Sequence, residues 1–444
     1  MLSLALVVFC GLAAFLIAKR VAVGQDARLV TWVATGGYAL RIGVSLLVRQ
    51  VSFFSHEGAG DSQQYEDFCW YLVAYWHRTG VHWIDPAEAA RVFDSGTILS
   101  APGFVQLFGL IQYFDGDKTR LGMVAINALL ASMTFVVTHR FALEVGSRPK
   151  AARILSLCFF FSPAFFFYTA DSYKDPWVIA FGVGCLYGAY LICDRGVRRG
   201  LLLFVGSAAA LWFVRRYLVY MLLVPLGAAI VLRLTKRGKN RVLAVTLGLL
   251  VGIVALVVVP PMLKDAGETA TATYETAIAT NTRAWNERGG SGIDFEDGGD
   301  PYAKLAPKLL YTLFSPFPWM TGSAGFQIGK LDALLMTATI FFAARALVRR
   351  WRDKKREIIL ILSFVLPASF AYSLTMANIG LIVRQRLVIE IGFLVLGSLS
   401  FVATAARRRI PVARRLPAGL AARPRPSVPM DDRPISARRG APLG

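Results

Sequence analysis

Charge is scarce in this chain. Lys, Arg, Asp and Glu supply 17% of its 444 residues, whereas 55% are hydrophobic. A soluble domain of this length carries more charge and cannot hide so much apolar surface, so an ordinary water-soluble fold is excluded. Cysteine is also sparse. Cys10, Cys69, Cys158, Cys185 and Cys193 are scattered without paired spacing, which argues against a disulfide framework and against a zinc site. Of the four histidines, His77, His82 and His139 show no ligand spacing, and His56 stands alone near Asp61. The chain lacks a Walker loop, a dinucleotide glycine fingerprint and a GxSxG elbow, so nothing suggests a soluble nucleotide donor. No internal repeat of fixed period is visible, which counts against a two-repeat transporter.

What the chain has is apolar sequence in long runs. LSLALVVFCGLAAFLIA (Leu2 to Ala18) and RVLAVTLGLLVGIVALVVVPP (Arg241 to Pro261) match the length needed to cross a hydrocarbon core of roughly 30 Å. In lipid the backbone must satisfy its own hydrogen bonds, so such runs are helices. The expected fold is all-α, a polytopic transmembrane bundle of about ten or eleven spans. They fall near residues 2–18, 29–50, 121–141, 154–170, 176–193, 201–214, 217–233, 242–260, 328–347, 358–376 and 387–405.

The net charge of +21 could suggest nucleic acid, but its placement points to the membrane. The positive residues sit in short loops between apolar runs. One set holds Lys19, Arg20 and Arg28, then Arg140, Arg148, Lys150 and Arg153, then Arg195, Arg198 and Arg199. It continues through Arg233 to Arg241 and the run RRWRDKKR, Arg349 to Arg356. These loops alternate along the chain as cytoplasmic loops of a cell-membrane protein do. The N-terminus is then outside. The organisation follows: an extra N-terminal span and cytoplasmic loop over 1–28; a transmembrane core over 29–260 with a first outer loop at 51–120; an outer loop at 261–327; C-terminal spans over 328–405. Residues 406–444 are expected to be a disordered, basic cytoplasmic tail. Within the first outer loop, YEDFCWYLVAYWHRTG and ILSAPGFVQLFGLIQYF suit juxtamembrane helices. LFSPFPW, Leu313 to Trp319, suits an interfacial segment.

Three groups of charge then fall on one, outer side, where charge next to a membrane is expensive. GAGDSQQYEDF holds Asp61, with Glu66 and Asp67 following, and admits both a helix-capping and a catalytic reading. YTADSYKDPW gathers Asp171, Lys174 and Asp175, as either a solvated turn or a site. Arg215 and Arg216 sit at an outer turn beside Tyr217, and Arg384 and Arg386 open the last span. Arginine forks bind phosphate bidentately, although snorkelling or an Arg386–Glu390 pair would also account for them. Together these groups suit a lipid-linked phosphate donor: arginines hold the phosphate and a carboxylate takes a proton from an acceptor hydroxyl.

The order of these features resembles the C-type (GT-C) glycosyltransferase superfamily, especially bacterial protein-mannosyltransferase and RgtA/B/C/D-like members. The resemblance rests on GDSQQYEDF after a span, APGFVQLFGL, a span opening with TRLGMVAINALLASM, the basic turn GSRPKAAR, and SPAFFFYTADSYKD. It covers about residues 29–200, and the remainder only by layout. It departs from the family where Ser62 follows Asp61 instead of a second acid, and in the extra N-terminal span. The resemblance implies transfer of a sugar from a polyprenyl-phosphate carrier to a glycan, lipid or protein acceptor on the outer face. In that reading Asp61 and Asp171 are the catalytic carboxylates, Asp61 as base. Glu66, Asp67, Lys174, Asp175, Arg215, Arg216, Tyr217, Arg384 and Arg386 bind substrate. Asp61 and Asp171 could share a divalent cation, and no other cofactor is implied. Three alternatives stand: a polysaccharide polymerase; a transporter or flippase of a lipid-linked glycan or another anion, with Arg41 and Glu390 on its path; or a structural membrane subunit with no chemistry of its own.

Overall fold

Proline punctuates the helices of this protein. A computed structural model describes residues 1–48, 59–80, 82–85, 88, 92, 101–236, 293, 295, 304–322, 324–374 and 378–401. Among them every regular element is helical and there is no β-strand. α1 (Leu2–Val21) and α2 (Ala27–Val48) are followed by α3 (Ala59–Thr79) and α4 (Pro102–Asp115). α5 (Leu121–Glu144), α6 (Pro149–Phe160) and α7 (Pro163–Thr169) come next, then α8 (Asp175–Asp194), α9 (Val197–Trp212) and α10 (Arg216–Lys236). α11 (Leu305–Phe314), α12 (Ala324–Leu374), α13 (Ile379–Gln385) and α14 (Leu387–Ser398) complete the order. α4, α6, α7 and α8 each carry Pro in the first turn, where a missing N–H costs nothing and the fixed φ suits a helix start.

Six helices are long and apolar enough to cross a membrane, and the bent pair α6 and α7 would make a seventh. The protein is a helical, multi-pass membrane bundle. The larger number of spans expected from the sequence differs for identifiable reasons. α9 has 16 residues, short of a full crossing on its own, and α14 continues through a 3-10 turn to Phe401, beyond which the rest of the expected span 387–405 lies outside the described residues. α12 runs for 51 residues, but Lys354 is non-helical within it (φ −125°, ψ 26°) and lies between the expected spans 328–347 and 358–376. The expected span 242–260, most of the 261–327 loop and the 406–444 tail lie outside the described residues.

Burial grades across the bundle. In α8, 78% of the apolar window is buried, against 22% in α1, so α8 is central and α1 peripheral. Leu4, Val8, Phe9, Leu12 and Leu16 of α1 are exposed, a stripe that suits acyl chains and not water. The two sets of loops gather at opposite ends of the helices. At the basic end Arg153 pairs with Asp26 at 2.7 Å, and the Tyr190 hydroxyl donates to the Glu144 carbonyl at 2.8 Å. At the other end Arg120, just before α5, donates to the Ser45 carbonyl near the end of α2. α3 and α4 pack together into their own apolar cluster at that end, around Cys69, Leu72, Trp76, Phe104 and Phe108. The two juxtamembrane stretches expected from sequence are therefore both helices.

One polar exception sits inside the bundle. α6 stops at Phe160, and Pro163 restarts the chain after a 58° bend. Proline disfavours helix at the residue before it, so the break falls where the sequence requires. Arg41 of α2 fills it: Nη2 donates to the Phe160 carbonyl at 2.7 Å, Nε to Thr169 Oγ1 at 2.6 Å and Nη1 to the Gly37 carbonyl at 3.2 Å. Its guanidinium also lies 4.1 Å from the Phe160 ring centre and 4.6 Å from that of Phe166. On the other side of the break, both oxygens of Asp332 accept the Ala164 N–H at 3.0 Å. A cation thus meets the C-terminal end of α6 and an anion the N-terminal end of α7, the signs that helix dipoles favour.

α8 and α9 approach through small residues. A Cβ on Gly200 would lie 2.6 Å from the Ile192 amide nitrogen, and one on Gly188 would lie 2.9 Å from the Gly200 carbonyl oxygen. Gly184 faces Ser207 in the same seam. Membrane helices associate through such close backbone contact because lipid offers no hydrophobic drive between them. Gly200→Val is expected to lower the thermal midpoint of the detergent-solubilised protein by the equivalent of about 1–3 kcal/mol. Gly206→Ala, on the same helix with no neighbour within 4 Å, is expected to leave it unchanged. Midpoints from size-exclusion of heated samples check both.

Candidate functional site

The acidic turn between α7 and α8 is the meeting point of the non-basic end. Asp171 is almost fully buried, and donors from three parts of the chain reach it. Ser62 Oγ, in the first turn of α3, donates to Oδ2 at 2.8 Å. Arg120 Nη1 donates to Oδ1 at 2.7 Å, and the Ser172 N–H donates to the same oxygen at 2.8 Å. A buried carboxylate is stable only with such partners. The turn itself is held by Asn127 of α5. Its amide nitrogen donates to the carbonyls of Asp171 at 2.7 Å and Tyr173 at 2.8 Å, while its oxygen accepts from Trp177 Nε1 at 2.8 Å.

Four residues on from Asp171, Asp175 opens α8 and draws in two arginines from distant helices. Arg215, at the α9–α10 turn, lies 3.5 Å from Oδ1, and Arg384 of α13 lies 3.6 Å from Oδ2. The Arg384 guanidinium is also 5.8 Å from the ring centres of Tyr168 and Tyr173. Lys174 sits 5.5 Å from the Tyr65 ring of α3. Asp175, Lys174, Asp171 and Arg215 are all buried. Among the described residues, then, this end of the bundle concentrates Arg120, Lys174, Arg215 and Arg384 around Asp171 and Asp175. Two like-charged guanidiniums repel, so Asp175 serves as the counter-ion that lets them share one locality.

The other residues expected at a site separate into different places. Asp61 belongs to the first turn of α3, beside Ser62, but its side chain lies outside the described residues, as does that of Tyr217. Glu66 is buried between α3 and α4, and its backbone carbonyl accepts from Gln112 Nε2 at 3.2 Å. Asp67 pairs with Lys118 at the surface, and its carboxylate holds the Lys118 ammonium above the usual lysine value. Arg216 turns outward over the Trp212 ring at 5.8 Å, away from its neighbour Arg215. Arg386 does not accompany Arg384: it is fully buried and donates to the Ser315 carbonyl. Glu390, one turn further along, is fully buried inside α14.

Three residues of the cluster had no role in the sequence reading. Arg120 served there only as a landmark at the start of a span, although it breaks the positive-inside pattern as Arg215 does. Asn127 is a lone amide in an apolar run, a signal in its own right. Ser62 stood out only as a possible cap and as the departure from a second acid, since its partner is 109 residues away. The described residues include no group of three or more His, Cys, Asp or Glu able to hold a metal ion. Compared with known proteins, the chain matches no family model, no curated protein and no solved structure.

Replacing Asn127 with Leu leaves two buried carbonyls and the Trp177 indole N–H without partners. The expected loss is about 1–3 kcal/mol for each group left unsatisfied. Amide exchange across residues 170–175 should quicken. Hydrogen-exchange mass spectrometry on the solubilised protein reads that effect locally.

Proposed function

We propose that this protein is a membrane glycosyltransferase of the GT-C kind, moving a sugar from a polyprenyl-phosphate donor to an acceptor on the extracytoplasmic face. The observation that carries this reading is the convergence at Asp175. Two arginines from separate helices and the adjacent Lys174 meet beside the α3 turn that holds Asp61, at one end of an apolar bundle. A phosphate that arrives on a lipid carrier needs this pairing of a membrane-embedded scaffold with clustered guanidiniums.

The chemistry follows from the residue types. Asp61 takes the proton of an acceptor hydroxyl, and the hydroxyl oxygen attacks the anomeric carbon. The bond from that carbon to the phosphate oxygen breaks, and polyprenyl phosphate leaves with the electron pair. Arg384, Arg215 and Lys174 offset the charge that develops on the leaving phosphate, which fixed cations in a water-poor site do efficiently. Asp171, with Arg120 and Ser62, fixes the turn that presents them. Glu66, Asp67, Arg216 and Arg386 have other partners and take no part in this step. Asp171 does not fit a divalent cation, because Arg120, Ser62 and the Ser172 N–H already occupy both of its oxygens, so no step is routed through a metal.

The transport alternative requires Arg41 on an open path. Its three donor nitrogens are instead committed inside the bundle, to the Phe160 carbonyl at the break, to Thr169 at the end of α7 and to Gly37 of its own helix, which favours the enzyme. A polymerase would use the same site with a glycan acceptor.

The test is a transfer assay with a panel of polyprenyl-phosphate sugars on reconstituted protein. Asp61→Asn is expected to lower turnover by about 10²-fold or more with expression intact. Near-normal turnover would remove Asp61 from the mechanism. Arg384→Gln is expected to weaken transfer by roughly 10²–10³-fold, the usual effect of deleting one transition-state donor. Absence of transfer from every donor by the unmodified protein would defeat the proposal.

A further inference from the structure

At the opposite, basic end, the kink of α12 opens a cavity of about 270 Å³ against the end of α8. Lys354 is fixed there: its ammonium is 3.0 Å from Glu357 and lies against Gly146. The lining contains three cations, Arg352, Lys355 and Arg356, and three acids, Asp194, Asp353 and Glu357. Their partners decide the net charge. Asp194 pairs with Arg195 at 3.8 Å, Asp353 with Arg350 at 3.8 Å and Glu357 with Lys354 at 3.0 Å. None of those three partner cations lines the cavity. The lining cations, by contrast, have no carboxylate partner among the described residues, and Lys355 has only the Trp351 ring at 5.7 Å. At the α8 end, Arg233 Nη1 donates to the Ile192 carbonyl at 2.6 Å.

Apolar surface adjoins this surplus of positive charge. Val348 is 83% exposed and Trp351 39%, both in the last turns of α12 before the kink. An occupant that satisfies both has an anionic head and an apolar body. We propose that the cavity binds the phosphodiester headgroup of an anionic membrane phospholipid, with its acyl chains along Val348 and Trp351. Arg352 and Arg356 hold the phosphate oxygens and Lys355 adds charge. The site is separate from the Asp171–Asp175 cluster and would tie the α12 kink to the lipid on that face.

The experiment uses the full chain in nanodiscs of phosphatidylcholine with and without phosphatidylglycerol, reading the thermal midpoint and the lipid retained in native mass spectrometry. Phosphatidylglycerol should raise the midpoint and be retained at least several-fold over phosphatidylcholine. Both effects should be lost in the triple variant Arg352→Gln, Lys355→Gln, Arg356→Gln. They should persist in a control triple variant, Arg198→Gln, Arg199→Gln, Arg349→Gln. Loss in the control would mean general surface attraction and overturn the proposal, as would persistence in the cavity variant. An equal shift from millimolar inorganic phosphate in phosphatidylcholine discs would overturn it in favour of a soluble anion. Should the cavity variant fail to fold, crosslinking of the unmodified protein with a headgroup-photoactivatable phosphatidylglycerol decides. Labels at residues 351–356 support the site, and labels confined elsewhere overturn it.

Discussion

The backbone of a membrane helix cannot be left open, and among the described residues one apolar helix pair is sharply bent at a break, between α6 and α7. Everything at the candidate site follows from how that break is closed. An arginine on an isolated helix at the bilayer centre costs on the order of 3 kcal/mol or more, so a fully buried Arg41 needs a structural return. It finds one in the Phe160 carbonyl, Thr169 and two aromatic faces, while Asp332 satisfies the N-terminal end of α7. The 58° bend that results lets a seven-residue helix carry the chain to the acidic turn. Without it, residues 169–175 would continue along the α6 axis and not meet α3 and α5.

The turn so delivered is held by polar contacts of long sequence separation. Asn127 fixes its backbone, Arg120 and Ser62 fix Asp171, and Asp175 collects Arg215 and Arg384. These contacts come from α3, from the start of α5, from the α9–α10 turn and from α13. In a medium that gives helices little reason to associate, buried polar contacts and small-residue seams set the arrangement. The Gly184–Gly188–Gly200 seam does so along α8 and α9, and the acidic turn does so at one end. The second site, at the α12 kink, uses the same logic with opposite emphasis. There the ion pairs are local to one helix or turn, and the cations left over line the cavity.

Much of the candidate site was legible in the sequence because the membrane sorts charge. Asp171, Lys174, Asp175, Arg215 and Arg384 were each visible as charge in a loop between apolar runs, on the side the positive-inside rule disfavours for cations. That rule identifies residues but gives no partners. It could not separate Arg215 from Arg216 or Arg384 from Arg386, because side chains one apart on a helical path differ in direction by about 100° and those two apart by about 200°. One member of each pair reaches Asp175, while the other turns outward to Trp212 or inward to Ser315.

The sequence by itself determined the class: apolar runs of spanning length force helices, and alternating basic loops put the remaining charge at one end. It did not show the break: residues 154–170 read as one span, although Pro163 disfavours helix at Ser162, and Pro225 and Pro367 are accommodated inside α10 and α12. Only the tertiary structure decided which groups close that break and which meet at the turn. Arg41 and Phe160 are 119 residues apart, as are Ser62 and Asp171 by 109, and no local propensity encodes such contacts. They exist because packing brings those side chains together, and burial then makes each depend on the other.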